Sequence, residues 1–273
     1  MPTFATPEPI KALVTIADGV VRLFAGPRDD TVVRVSSDTP DGGTASEPAE
    51  GTKVEYADGL LTVRAHERAG LTVTIELPTG SELECSTDEA ELSAKGEFGP
   101  CRLRTSRGRL KLDRTGPLTA DLADGILEVT RISGPAKVIT SSGSVRLGNV
   151  EGDVTVKSST GDIRVAEAEG VLELTTADGN IEVGHAGGDV TAKASGGFIK
   201  VGGLTTGDAQ LLTAAGAIDI GISSGVSAWI DARTDSGTVR NELDTRDDPG
   251  STNQRVKVRA RTRSGDIVLH RTI

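Results

Sequence analysis

Aromatic residues are scarce in this chain, since its 273 residues include 1 Trp, 1 Tyr and 4 Phe. Enzymes that cleave polysaccharides bind sugars on exposed aromatic platforms and need paired carboxylates at a defined separation in space. The Asp247-Asp248 pair and the Gly184-His185 pair lie in separate segments without a third acid beside them. A polysaccharide lyase or hydrolase is therefore the least favoured of the candidate functions, and we expect no enzyme.

Cysteine is also rare, and no export or membrane segment is visible. The two cysteines are Cys85 and Cys101, and free cysteine commonly behaves as a small buried hydrophobe. The N-terminus has no basic segment followed by an apolar stretch, and no window approaches 18 continuous apolar residues. We expect two buried, reduced thiols, no membrane insertion and a cytoplasmic protein.

An excess of positive charge is lacking as well. The net charge is −10, and residues 1–100 hold 8 Lys/Arg against 18 Asp/Glu, whereas residues 101–273 hold 22 of each. All of the net negative charge therefore lies in the first third of the chain. Because phosphate binding needs a clustered excess of cations, we expect no nucleic-acid partner.

Glycine, by contrast, is abundant, with 34 residues, and it marks an internal repeat. A glycine followed by a short alternating apolar segment recurs every 17 to 19 residues, at Gly108, Gly125, Gly143, Gly161, Gly179, Gly197 and Gly216. A second set lies midway, at Gly116, Gly134, Gly152, Gly170, Gly188 and Gly207. The half-repeat is therefore about nine residues long, and repeats of this kind indicate a solenoid.

Apolar residues alternate within each half-repeat, as in Ile163/Val165 and Ile181/Val183. Such alternation predicts strands, and nine residues leave no room for a helical crossover between parallel strands. The predicted fold is all-β: a single-stranded parallel β-solenoid with about 18 residues per coil. Right-handed coiling is expected by extension of the crossover rule.

The N-terminal part has a different pattern. Asp18-Gly19 lies between Ala12–Ile16 and Val20–Phe24, and Asp58-Gly59 lies between Lys53–Tyr56 and Leu60–Arg64, so both pairs predict β-hairpins. We expect one continuous unit with an antiparallel N-terminal cap at 1–80, solenoid repeats at 81–240 and closing strands at 241–273. The closing strands are predicted near Val256–Ala260 and Asp266–Leu269.

Two motifs resemble catalytic or metal sites. Gly221-Ile222-Ser223-Ser224-Gly225 matches the G-x-S-x-G nucleophile motif, with Asp231 or Asp235 and then His270 in Ser…Asp…His order. That motif requires a following helix, but the residues after it alternate as a strand, so no catalytic residue is predicted.

Aspartates recur at the repeat corners, as in the calcium β-roll, namely Asp153, Asp162, Asp189, Asp208 and Asp266. The glycine-rich ligand turn of that roll is missing, so turn capping is the favoured interpretation and calcium binding the alternative. His66, His185 and His270 lack metal-ligand spacing. No metal or other cofactor is expected.

Two basic stretches remain as candidate binding surfaces. Strand alternation would place five cations on one face at Arg255, Lys257, Arg259, Arg261 and Arg263. A second stretch comprises Arg102, Arg104, Arg107, Arg109 and Lys111. One interpretation is a solvated face paired with acidic neighbours such as Glu82, Glu84, Asp88 and Glu91. The other is a surface for an acidic partner, either a protein or a polymer, and the site hypothesis rests on the first stretch.

Several segments resemble a bacterial β-strand-repeat family of unknown function labelled "putative adhesin". They are the opening Phe4–Ile10, the Ile75–Ser81 entry to the repeats, the Ser-Gly-Asp-Ile type repeats and the closing Arg263–Ile267. The resemblance covers nearly the whole chain and implies the solenoid fold, without catalytic residues to carry over. The expected function is a non-catalytic structural or binding scaffold, a monomer or weakly self-associating. A surface adhesin exported by an unseen route is the alternative.

Overall fold

The computed structural model describes residues 1–37, 52–65, 70–243 and 255–272, and all of its regular elements are strands. The chain is all-β and mostly parallel, with a solenoid-like arrangement. Two compact units are present, Met1–Ser133 and Gly134–Ile273. No helix in the described ranges is long and apolar enough to cross a membrane.

The first unit contains nine strands. They are β1 (Thr3–Ala5), β2 (Lys11–Gly26), β3 (Asp30–Ser37), β4 (Thr52–Ala57), β5 (Leu60–Ala65), β6 (Leu71–Pro78), β7 (Glu82–Glu97), β8 (Cys101–Thr115) and β9 (Leu118–Ile132). Strand β2 pairs in parallel with β7 along nearly its whole length, and β7, β8 and β9 follow in parallel order. On its other side β2 pairs in parallel with β5 and then with β6. The antiparallel pairs are β1–β3, β3–β6 and β4–β5.

One of the two predicted hairpins is wrong. Residues Lys11–Gly26 form a single strand, so Asp18-Gly19 is not a hairpin turn. Gly19 instead has φ +139° and pairs in parallel with Leu71 and Ala90, as the repeat glycines do in later strands. The hairpin around Asp58-Gly59 is confirmed, since β4 and β5 are antiparallel with Ala57 opposite Leu60. The predicted cap therefore mixes parallel and antiparallel pairs, and the division at residues 80 and 240 stays a prediction.

The second unit contains thirteen strands. They are β10 (Ala136–Val150), β11 (Val154–Thr160), β12 (Ile163–Ala168), β13 (Leu172–Asp178), β14 (Ile181–Ala186), β15 (Val190–Gly196), β16 (Ile199–Leu204), β17 (Gly207–Ala215), β18 (Ile218–Ser223), β19 (Ser227–Ser236), β20 (Val239–Asn241), β21 (Arg255–Ser264) and β22 (Ile267–Thr272). All of their pairings are parallel, for example Ile163 with Ile181 and Ile181 with Ile199. The handedness of the coil stays a prediction.

Strand alternation builds the core of this unit. Ile163, Ile181, Ile199, Ile218 and Ile267 form one column of fully buried side chains across successive second-half strands. The alternate residues beside the first four of these isoleucines point outward and are charged, namely Arg164, Glu182, Lys200 and Asp219. Each pair of half-strands is joined at a glycine with positive φ, such as Gly161 at +128° and Gly179 at +148°. Burial of β-branched residues in stacked parallel strands is the main stabilising contribution.

The C-terminal strands do not close the end of the repeat, contrary to expectation. Strand β21 lies between β17 and β19, and β22 pairs with both β18 and β20. The last strands of the chain are thus inserted, and among the described residues β19 and β20 form the outermost rung. The strand positions themselves are confirmed, because the predicted Val256–Ala260 lies within β21 and the predicted Asp266–Leu269 overlaps β22, which begins at Ile267.

The two cysteines lie on neighbouring strands of the first unit. Cys85 is on β7 and Cys101 on β8; both are buried and neither forms a disulfide. Burial raises the pKa of each thiol to about 12, with the neighbouring Cys101 adding to the effect on Cys85 and Glu82 adding to that on Cys101. Neither thiol is therefore ionised at neutral pH.

Candidate binding face

The five cations of the first basic stretch lie on one side of β21. Val256, Val258, Ala260 and Thr262 point inward and are buried, and the alternating Arg255, Lys257, Arg259, Arg261 and Arg263 point outward. The alternation arises from the period of two of a strand, which separates the two sets of side chains. We call the outward side of β21 with its neighbours β17 and β19 the basic face.

The neighbouring strands supply few opposite charges. Asp208 on β17 is opposite Lys257, and Asp231 on β19 is opposite Arg259. Strand β19 also contributes the exposed Arg233 and Asp235. The basic face thus carries six cations against three carboxylates, so positive charge is left over within this unit of the chain.

Asp231 is the central anion of the basic face. Arg261 forms a hydrogen bond and ion pair with its carboxylate, and Arg233 Nε lies 3.4 Å from Asp231 Oδ1. The hydrogen bond from Arg261 holds the pKa of Asp231 below its ordinary value, and the charges of Arg261, Arg233 and Arg259 act in the same direction. The carboxylate therefore stays ionised under mildly acidic conditions.

A cleft lies at the start of the basic face. It is lined by Thr206, Gly207, Asp208, Ser227, Ala228, Trp229, Arg255, Val256 and Lys257. The ammonium of Lys257 is 5.2 Å from the centroid of the Trp229 ring, which is within cation–π distance. Trp229, the one tryptophan of the sequence, is 53% exposed. An aromatic ring beside two cations suits a ligand with both a flat apolar surface and negative charge.

The second basic stretch is different, because its cations are paired with acidic residues on the neighbouring strands β7 and β9. On β8, Arg102 is opposite Glu84, and Arg109 is opposite Glu91. Arg107 lies 3.7 Å from Glu89 on β7 and 3.8 Å from Asp124 on β9. This stretch has the geometry expected of a solvated, charge-paired face, and opposite charges on neighbouring strands stabilise such a sheet.

The G-x-S-x-G motif is not assembled as a nucleophile site. Ser223 ends β18, and a turn leads into strand β19 instead of a helix. The Ser223 hydroxyl is buried without a hydrogen-bond partner in the described ranges. His270 Nε2 lies 2.8 Å from Asp219 Oδ1. Burial lowers the pKa of His270, but its contacts with Arg271 and Asp219 raise it by more, so the imidazole is held toward its charged form and is not a free base.

Four of the five corner aspartates, all but Asp208, cap the backbone of the next rung in the described residues. The carboxylate of Asp153 accepts from the backbone N–H of Val171 at 2.9 Å, and Asp189 accepts from Asp208 at 2.8 Å. Asp162 accepts from Asn180, and Asp266 accepts from both the N–H and the hydroxyl of Thr238. No group of three His, Cys, Asp or Glu suited to a metal occurs in the described part of the chain. His66, Asp247 and Asp248 lie outside the described residues.

The sequence pattern missed the proximity of Trp229 and the β21 cations. Trp229 precedes Lys257 by 28 residues, which is not a multiple of the repeat length, so the spacing does not place the two side chains opposite each other. Their register is seen only in the pairing of β19 with β21. An unusually basic C-terminal strand was the one visible signal for this face.

Comparisons with known proteins agree with the resemblance identified from the sequence. No curated protein matches the chain. A putative cell adhesion protein from Clostridium sporogenes is 10% identical, with 99% of this chain and 98% of that chain covered and a TM-score of 0.20. A putative adhesin from Bacteroides fragilis is 12% identical, with 98% and 95% covered and a TM-score of 0.35. The Toastrack DUF4097 model matches residues 52–195, more than half of the sequence, and the chain therefore belongs to the Toastrack DUF4097 family.

Proposed function

We propose that the chain is a non-catalytic binding scaffold whose basic face holds an acidic partner, either a protein segment or an acidic polymer. The observation that carries the proposal is the row of five outward cations on β21, which has two carboxylates, Asp208 and Asp231, opposite it in register. The cations of β8 differ from this row, because each of them has an acid opposite it on β7, on β9 or on both.

The spacing of the cations indicates how such a partner binds. Alternate residues of a strand are about 6.6 Å apart, so the five cations form a straight row of regularly spaced charges. An extended acidic chain has negative groups at a similar repeat and can contact several cations together. Arg255 and Lys257 lie beside Trp229 in the cleft, where an apolar part of the partner can pack on the indole ring.

Binding of an acidic probe tests the proposal. Fluorescently labelled poly-L-glutamate is titrated with the full chain and followed by anisotropy, with polygalacturonate as an unlabelled competitor and double-stranded DNA as a second one. We expect saturable binding that weakens with added salt, because exposed charges are screened over about 8 Å at physiological ionic strength. Displacement of the probe by polygalacturonate at equal charge would indicate a polysaccharide-like partner, and its failure to displace the probe would indicate a polypeptide-like one. Double-stranded DNA is expected to compete poorly.

A matched pair of variants locates the site. Arg259→Gln with Arg263→Gln removes two charges from the basic face, and Arg104→Gln with Arg109→Gln removes two from β8. We expect the first variant to weaken binding by about tenfold or more and the second to change it little. Equal effects of the two variants, or no saturable binding by the unaltered chain, would contradict the proposal.

We further propose that the protein works in a reducing compartment, the cytoplasm. Its support is that Cys85 and Cys101 lie on neighbouring strands as free thiols. Fractionation of the native cells tests this: recovery in the cytoplasmic fraction is expected, and recovery on the cell surface would favour the exported adhesin instead.

A further inference from the structure

Strand β19 forms an edge of the second unit. Its one partner within the described ranges is β21, whereas β21 itself is paired on both sides. An unpaired edge exposes a row of backbone N–H and C=O groups that can bind another strand.

The core is less well covered at this rung than one rung inward. On β21, Val256, Val258 and Ala260 are 2%, 0% and 0% exposed. Their counterparts on β19, Ala228, Ile230 and Ala232, are only half-buried. The same difference is seen between β20 and β22, since Val239 on β20 is 44% exposed and its partner Ile267 on β22 is fully buried. Burying apolar area of this kind against a further strand is favourable.

The charges on β19 restrict the strand that fits against it. Its outward residues run Asp231, Arg233, Asp235, so their signs alternate. Residues directly opposite each other on neighbouring strands dominate side-chain interactions in a sheet. An acidic peptide would place its carboxylates against Asp231 and Asp235 and would be repelled. The complementary strand carries a cation opposite Asp231 and an anion opposite Arg233.

A second copy of β19 has this order when it runs antiparallel. With Ala232 of one copy opposite Ala232 of the other, Asp231 faces Arg233 and Arg233 faces Asp231. Both contacts form together, as required of a two-fold interface in which the same patch is used by both partners. The inward sides then bring Ala232 together with Ala232 and Ile230 opposite Thr234, which extends the apolar core across the seam.

We propose that β19 is a homodimer interface, in which two copies of this chain pair their β19 edges antiparallel about Ala232. The five cations of β21 lie one strand away from the seam and remain exposed, whereas Arg233, the sixth cation of the basic face, lies at the seam. The β21 row therefore stays available to an acidic partner in the dimer. One rung on each side makes the interface small, and the dimer is accordingly weak and concentration-dependent.

The test is molar mass by light scattering across a concentration series. The unaltered chain is expected to rise from 28.2 kDa toward twice that mass, about 56 kDa, and to stop there. Arg233→Glu places Glu against Asp231, and Asp231→Lys places Lys against Arg233, each twice per dimer. Each variant is expected to raise the dissociation constant by about tenfold or more.

An equimolar mixture of the two variants distinguishes lost pairing from lost folding. In the mixed dimer Asp231 of one chain faces Arg233 of the other, and Glu faces Lys at the second contact, so dimerisation returns. Lys193→Glu, the same charge change at an exposed position of β15, is the matched control and leaves the mass curve unchanged.

Three results would overturn the proposal. They are a constant mass of one chain at all concentrations, growth beyond two chains, and failure of the mixture to recombine. A constant mass of one chain would mean that the charges of β19 prevent this edge from pairing with another strand. Binding of poly-L-glutamate is measured with the unaltered chain at concentrations at which light scattering shows the mass of one chain, so failure of either proposal is recognised without the other.

Discussion

At the scale of single residues, the corner glycines show why the repeat tolerates so little change. Gly161 has φ +128°, and a Cβ on it would lie 2.0 Å from the carbonyl oxygen of Gly143 one rung earlier. Gly179 meets the Gly161 carbonyl in the same way at 2.2 Å. The glycine is needed for two separate reasons, the backbone conformation and the close approach of the neighbouring strand.

The substitutions Gly161→Ala and Gly225→Ala separate these two reasons. Gly225 also has positive φ, +83°, but nothing lies within 4 Å of a Cβ built on it. We expect Gly225→Ala to cost about 1 kcal/mol of unfolding free energy, from backbone conformation alone. Gly161→Ala should cost at least about twice as much, since the strands must also separate. Urea unfolding of the full chain measures the loss of unfolding free energy in both variants. Equal losses would show that the contact with the Gly143 carbonyl adds no cost of its own.

At the scale of the strand, a ladder of hydrogen bonds runs from buried threonine hydroxyls to the carbonyls of the corner glycines. Thr176 donates to the carbonyl of Gly161 at 3.2 Å, Thr213 to that of Gly197 at 3.0 Å and Thr262 to that of Gly216 at 3.1 Å. Each is the third residue before the corner glycine of its own rung. The hydroxyl therefore ties one rung to the corner of the rung before it.

Thr176→Val and Thr140→Val are a matched test of this ladder. Thr140 occupies the same repeat position and is also buried, but its hydroxyl has no hydrogen-bond partner within the described residues. We expect Thr176→Val to destabilise by about 1 kcal/mol, because the Gly161 carbonyl loses a donor. Thr140→Val should be neutral or stabilising, because a buried unsatisfied hydroxyl is removed. The comparison uses urea midpoints, and a larger loss for Thr140→Val would contradict the ladder.

The strands themselves could be predicted from alternation, but not all of their connections. Asp18-Gly19 predicts a hairpin turn because Asp-Gly favours the turn conformation locally. The same dipeptide occurs at repeat corners, as in Asp124-Gly125 and Asp178-Gly179, where the chain continues into the next half-strand. A dipeptide alone does not distinguish the two, since the difference lies in which distant strand pairs with it.

At the scale of the whole chain, the candidate site depends on a departure from chain order. The cations of β21 were recognisable from their alternation, and the intervening Val256, Val258 and Ala260 are buried, so the five cations point outward. The neighbours of that face were not predictable, because the sequence suggests that each new rung is added after the last one. Insertion of β21 places it beside Asp208 on one side and Trp229 on the other, which determines the charge and shape of the basic face.

The energetic order of two core truncations tests this chain path directly. Val258 is fully buried between Ala209 on β17 and Ile230 on β19, whereas Ile230 lies on the outermost rung and is half-buried. If β21 is inserted, Val258→Ala leaves a cavity and should cost about 2 kcal/mol. Ile230→Ala should cost less, although it removes more atoms, because its site is already partly open to water. If the rungs followed chain order, Ile230 would be enclosed and Val258 would lie at the end, so the two costs would be reversed. Urea unfolding of both variants, at protein concentrations low enough to keep the chain monomeric, decides between the two paths.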